Sequence, residues 1–75
     1  MKKMTCKQLG GACDLVLEAN TFDEMAELSK QHGTEMYQKN EPAHMKAMSE
    51  MMELMKSPDA MNKWFTEKRE EFDKL

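Results

Sequence analysis

Three residues in this sequence have the side-chain chemistry of soft-metal ligands at positions where a small fold can gather them: Cys6, Cys13 and His32. Thiolate sulfur and imidazole nitrogen are the usual donors for zinc, which takes four of them in a tetrahedron. Met36, Asp14 or a water is the expected fourth donor, since His32 and Met36 stand one helical turn apart and can reach one point. A thioether there would move the preference from zinc toward Cu(I). His44 completes a two-cysteine, two-histidine set if the helix that carries it folds over the one that carries His32. The spacing is not that of a zinc finger, where roughly two to four residues separate the cysteines. Here six residues lie between Cys6 and Cys13, and eighteen between Cys13 and His32. The competing expectation is two small buried hydrophobes and a hydrogen-bonded core histidine, with no ion.

A redox pair is the other chemistry two thiols allow. No Cys-x-x-Cys at a helix start depresses a thiol pKa here. Lys3 and Lys7 fall on the strand face opposite Cys6, because strand side chains alternate. The redox reading therefore lacks an activated nucleophile.

Positioning these residues is the task of the elements around them. Met4-Thr5-Cys6 alternates with Lys3 and Lys7, and the run from Cys13 to Ala19 is rich in strand formers. Gly10-Gly11 between them is a turn signal, so a hairpin is expected. With the turn centred on the two glycines, Cys6 faces Leu15 and Gln8 faces Cys13. Met4, Cys6 and Gln8 then share the core face with Leu17, Leu15 and Cys13. Both thiols point inward as diagonal neighbours, about 7–8 Å apart. That is long for a disulfide, whose Cα atoms sit within about 4.4–6.8 Å, and suits convergence on a metal.

Helix signals follow. Thr21-Phe22-Asp23-Glu24 is a capping box, and Phe22, Met25, Ala26, Ser29, His32, Met36 and Tyr37 make one buried stripe. That stripe keeps its phase through Gly33, so the helix is expected to continue past it. Asn40-Glu41-Pro42 interrupts the pattern, and Pro42 opens a second helix. His44 lies early on its apolar arc, where the helix dipole disfavours an imidazolium; a neutral histidine with a backbone partner is expected. Ser57-Pro58 starts a third helix lined by Met61, Trp64, Phe65, Phe72 and Leu75. The expected fold is α+β: a two-stranded antiparallel hairpin followed by three helices (ββααα) in two layers. It forms one domain over residues 1–75.

The segment Met4-Thr5-Cys6-Lys7-Gln8-Leu9-Gly10-Gly11-Ala12-Cys13-Asp14, followed by Thr21, Glu24 and His32, resembles domain-of-unknown-function family 1059, a group of small prokaryotic proteins. The resemblance covers roughly the first half of the chain, and it implies a ββα family-like core at 1–39 with a helical extension at 40–75. It implies a Cys, a Leu-Gly turn, a second Cys followed by Asp, a short strand and a helix carrying His. The family's second histidine, about one turn later, is absent from Gly33-Thr34-Glu35-Met36-Tyr37. The resemblance implies no reaction.

Composition narrows the function classes. A formal charge of −3 on 75 residues argues against nucleic acid, which needs a dense basic face. No apolar run approaches the roughly 18 residues of a membrane span, and no signal peptide precedes Met1, so a cytoplasmic protein is expected. There is no phosphate-binding glycine loop, no Ser/His/Asp arrangement and no His-Glu-x-x-His. No enzyme is expected. The ten methionines suit adaptable apolar surfaces. A homodimer through the Met-rich second helix and Trp64 and Phe65 is expected, because a hairpin covers little of a three-helix layer. Two functions follow: a non-enzymatic interaction or assembly module, and a domain binding zinc or another soft metal through Cys6, Cys13 and His32.

Overall fold

The computed structural model describes residues 1–75 as an antiparallel hairpin followed by three helices. Strand β1 (Lys2–Thr5) pairs with β2 (Val16–Ala19), with Lys2 opposite Ala19 and Met4 opposite Leu17. This is the register expected from a turn centred on the two glycines. The connection itself differs. The chain coils into a 3-10 turn over Lys7–Leu9, closed by Gly10 at φ +91°. Cys6 N–H donates to Leu15 O in the same register, whereas Lys7 N–H donates to Cys13 O one residue out of it, both at 2.9 Å, so the expected Gln8–Cys13 pairing does not form.

Thr5 and Gln8 account for the coil. The Thr5 hydroxyl accepts from Gln8 N–H at 3.1 Å, and Gln8 Oε1 accepts from Thr5 N–H at 2.8 Å. This is the reciprocity of a capping box, applied to a single turn. It draws Gln8 to the surface, so Gln8 is not on the core face. Leu15 is 45% exposed and also leaves that face. Met4, Cys6 and Ala19 remain buried beneath the sheet.

Helix α1 (Phe22–Gln38) starts where its capping residues place it: the Thr21 hydroxyl accepts from Glu24 N–H at 3.2 Å. The Glu24 carboxylate reaches back to Asn20 N–H at 3.4 Å. The helix runs through Gly33 to Gln38 and is closed just beyond its end by Asn40, whose φ of +57° is left-handed. Asn40 N–H donates to Tyr37 O and Glu41 N–H to Met36 O, which is a Schellman closure. Helices α2 (Pro42–Met55) and α3 (Pro58–Asp73) each carry proline in the first turn, and the Ser57 hydroxyl accepts from Ala60 N–H at 3.3 Å.

The core is small. Met4, Leu9, Ala19, Phe22, Met25 and Phe72 form it, with Leu17 and Leu28 packed alongside. Phe72, near the end of α3, meets Phe22 edge-to-face at 6.0 Å and closes the cluster. The apolar stripes expected on the helices are only partly covered. Tyr37 is 62% exposed and Met36 half-buried; on α3 only Phe72 is buried and Phe65 faces solvent, while Leu75, expected on its apolar face, lies beyond the helix end and is exposed. No methionine of α2 is buried, and His44 is the buried residue of that helix. Four-residue strands offer too little sheet to cover three helices. No helix is long and apolar enough to cross a membrane.

Candidate metal centre

Cys6 follows β1, Cys13 lies in the irregular segment before β2, His32 is in α1 and His44 is in the first turn of α2. These four separated points converge. Cys13 Sγ is 3.3 Å from His32 Nε2, and Cys6 Sγ is 3.6 Å from His44 Nε2. The two imidazoles meet edge-to-face with centroids 5.3 Å apart. All four donor atoms lie within 4.8 Å of one another. With Zn–S near 2.3 Å and Zn–N near 2.0–2.1 Å, a tetrahedral site has S···N edges of about 3.5 Å. Two of the four sulfur–nitrogen edges, Cys13–His32 and Cys6–His44, are close to that spacing.

The three residues nominated from sequence thus come together, and His44 takes the fourth place. Asp14 is exposed and stands outside the group. Met36 is half-buried further along α1, and the imidazole that joins the two thiols and His32 is His44 of α2. Cys6, His32 and His44 are buried and Cys13 is half-buried.

Backbone geometry prepares both sulfurs. Gly11 N–H donates to Cys6 O at 2.8 Å, drawing the loop across the cysteine. A Cβ at Gly11 would lie 2.1 Å from Cys6 Sγ and 3.0 Å from Cys6 O, so no side chain fits there. Burial pushes the Cys6 thiol above its ordinary pKa, against the backbone N–H groups of Cys13 and Ala12 directed at the sulfur. Burial also acts to raise Cys13, but the Leu15 N–H, the His44 ring and the Cys6 thiol together outweigh it and hold Cys13 below its ordinary value. Hydrogen bonds to the charged form favour it, so Cys13 is the readier thiolate, and the thiolate is the form that ligates metal.

His44 departs from the expected neutral ring with a backbone partner. Its Nδ1 contacts the Glu41 carboxylate, which raises its pKa against the effect of burial. The same contact holds the Glu41 carboxyl below its usual range. Glu41 also caps α2, accepting from Ala43 N–H at 3.2 Å and His44 N–H at 2.7 Å. An anion at the helix start offsets the dipole that disfavours the imidazolium. From sequence Glu41 reads only as part of an interruption; the signal for its role is an acidic residue just before a helix-opening proline and three residues before a histidine.

A cavity of about 530 Å³ borders Cys6 and His44, with Leu9, Met45, Met48 and Met51 among its walls. Apolar walls lower the local dielectric and strengthen interactions between charged groups beside them. No family model, curated protein or solved structure matches this chain.

Proposed function

We propose that this protein is a small non-enzymatic zinc-binding domain in which Cys6, Cys13, His32 and His44 hold one ion as a structural cross-link. The observation that carries this reading is the convergence of all four donor atoms within 4.8 Å from four separate parts of the chain. Two sulfurs and two imidazole nitrogens are a zinc set, and no thioether is needed to complete it. Four protein donors fill a tetrahedron and leave no open position for a substrate, which favours a structural ion over a hydrolytic one. The fold has use for such a link. A core at this size supplies no more than about 3–5 kcal/mol, whereas zinc contributes about 10–16 kcal/mol in finger peptides at neutral pH.

The interaction or assembly role sits on the same scaffold. Exposed Tyr37, Met52 and Phe65 support a protein-binding face on a zinc-held core, and a homodimer through α2 and Trp64 and Phe65 is the simplest partner. The resemblance to family 1059 falls on Cys6, Cys13 and His32, with the second imidazole drawn from α2 in place of α1.

Metal analysis of protein purified from zinc-supplemented medium tests the reading. One zinc per chain is expected, with a melting temperature that drops by about 10 °C or more on chelation. Zinc below a tenth of an equivalent, with no change in melting on adding metal, would leave two thiol–imidazole hydrogen bonds and end the proposal.

A further inference from the structure

Glu41 is held from several sides. Its N–H is fixed by the Schellman closure of α1, through Met36 O at 3.1 Å. Its carboxylate is shared between the α2 backbone, at Ala43 and His44 N–H, and the His44 ring at Nδ1. The opposite ring nitrogen, Nε2, faces Cys6 Sγ. One carboxylate thus decides which nitrogen of His44 carries a proton and which is free to face the sulfurs.

We infer that Glu41 is the positioning residue of the zinc site: it holds the proton on His44 Nδ1, aims Nε2 at the ion and ties ligation to the start of α2. The inference rests on the zinc reading above. A carboxylate behind a ligating imidazole fixes its tautomer and orientation and raises its basicity. His32 has no such partner among the polar contacts of its ring, which are made at Nε2 to Cys13. The two imidazoles are therefore unequal, with His44 the more firmly oriented ligand. Because the same carboxylate caps α2, zinc binding and ordering of the α1–α2 connection reinforce each other. Residues 40–41 join the metal centre to the helix pair through one side chain.

Capping and ligand orientation can be separated by substitution. Asn is a good N-cap, so Glu41→Asn keeps the helix start and removes the carboxylate behind the ring. Glu41→Gln keeps an acceptor oxygen at full reach and removes its charge. Zinc affinity is measured by competition with a chromophoric chelator, alongside ¹⁵N chemical shifts of the His44 ring and the melting temperature of the metal-free protein. Wild type is expected to show a protonated Nδ1 and a zinc-bound Nε2. Glu41→Asn is expected to lose about 10–100-fold in zinc affinity, to keep metal-free melting close to wild type at about pH 8, where the Glu41–His44 contact adds least, and to lose the single Nδ1-protonated pattern. Glu41→Gln is expected to fall between the two. Wild-type affinity and ring shifts in both variants would overturn the inference and leave the zinc reading standing. Failure of the wild type itself to take up zinc would overturn both.

Discussion

Cys6 and Cys13 differ although they share a site. Cys6 is buried against Gly11 and Cys13 is nearer the surface. Gly11→Ala tests how tightly the loop is drawn over the deeper sulfur. A methyl group 2.1 Å from Sγ forces the loop or the cysteine to move, and overpacking of this kind costs about 1–3 kcal/mol. Melting is expected to fall by about 4–8 °C for each kcal/mol at this chain length, with weaker zinc binding; unchanged melting and affinity would show the loop to be loose. The Glu41–His44 contact has its own signature in metal-free protein. His44 has a raised pKa, so its contribution is present below 6.5 and is lost as pH rises through the raised value. Glu41 has a lowered one, so its contribution is present above 4.5 and is lost as pH falls through the lowered value. Metal-free protein is therefore expected to melt higher at about pH 5.5 than at about pH 8, and His44→Gln is expected to flatten that difference. A pH-independent difference between wild type and variant would contradict it.

At the scale of elements, what sequence discloses is what local chemistry decides. The Thr21 hydroxyl, Pro42 and Ser57-Pro58 set helix starts within a few residues of themselves, and all three helices begin there. The strand register agrees with the one expected from the glycine pair, although a longer connection built on Thr5, Gln8 and Gly10 joins the strands. The 3-10 turn is hidden because Thr5 and Gln8 lie inside a strand-like alternation, where a capping pair is not looked for. His44 as fourth donor is legible only as a condition, because it depends on how α2 packs on α1, which no local pattern encodes. Apolar periodicity marks the faces of α2 and α3 but does not tell whether anything covers them. In this chain Met52 is 68% exposed and Phe65 40% exposed. If those faces join two copies, sedimentation equilibrium at high micromolar concentration is expected to give twice the chain mass. Met52→Lys with Phe65→Lys should restore the monomer, and a strict monomer for the wild type would rule the dimer out.

The whole molecule consists of a slight apolar core and a polar cluster beside it. Met4, Leu9, Ala19, Phe22, Met25 and Phe72 join the hairpin to α1 and the end of α3. The cysteine–histidine cluster joins the hairpin loop to α1 and the start of α2. Each cluster secures contacts that the other does not reach, so loss of the ion should loosen α2 more than α3. X-ray absorption at the zinc edge examines that second link most directly. Zinc-loaded protein is expected to show two sulfurs at about 2.3 Å and two imidazole nitrogens at about 2.0 Å. A shell of oxygens and nitrogens without sulfur, or no stoichiometric zinc to observe, would contradict the account at its centre.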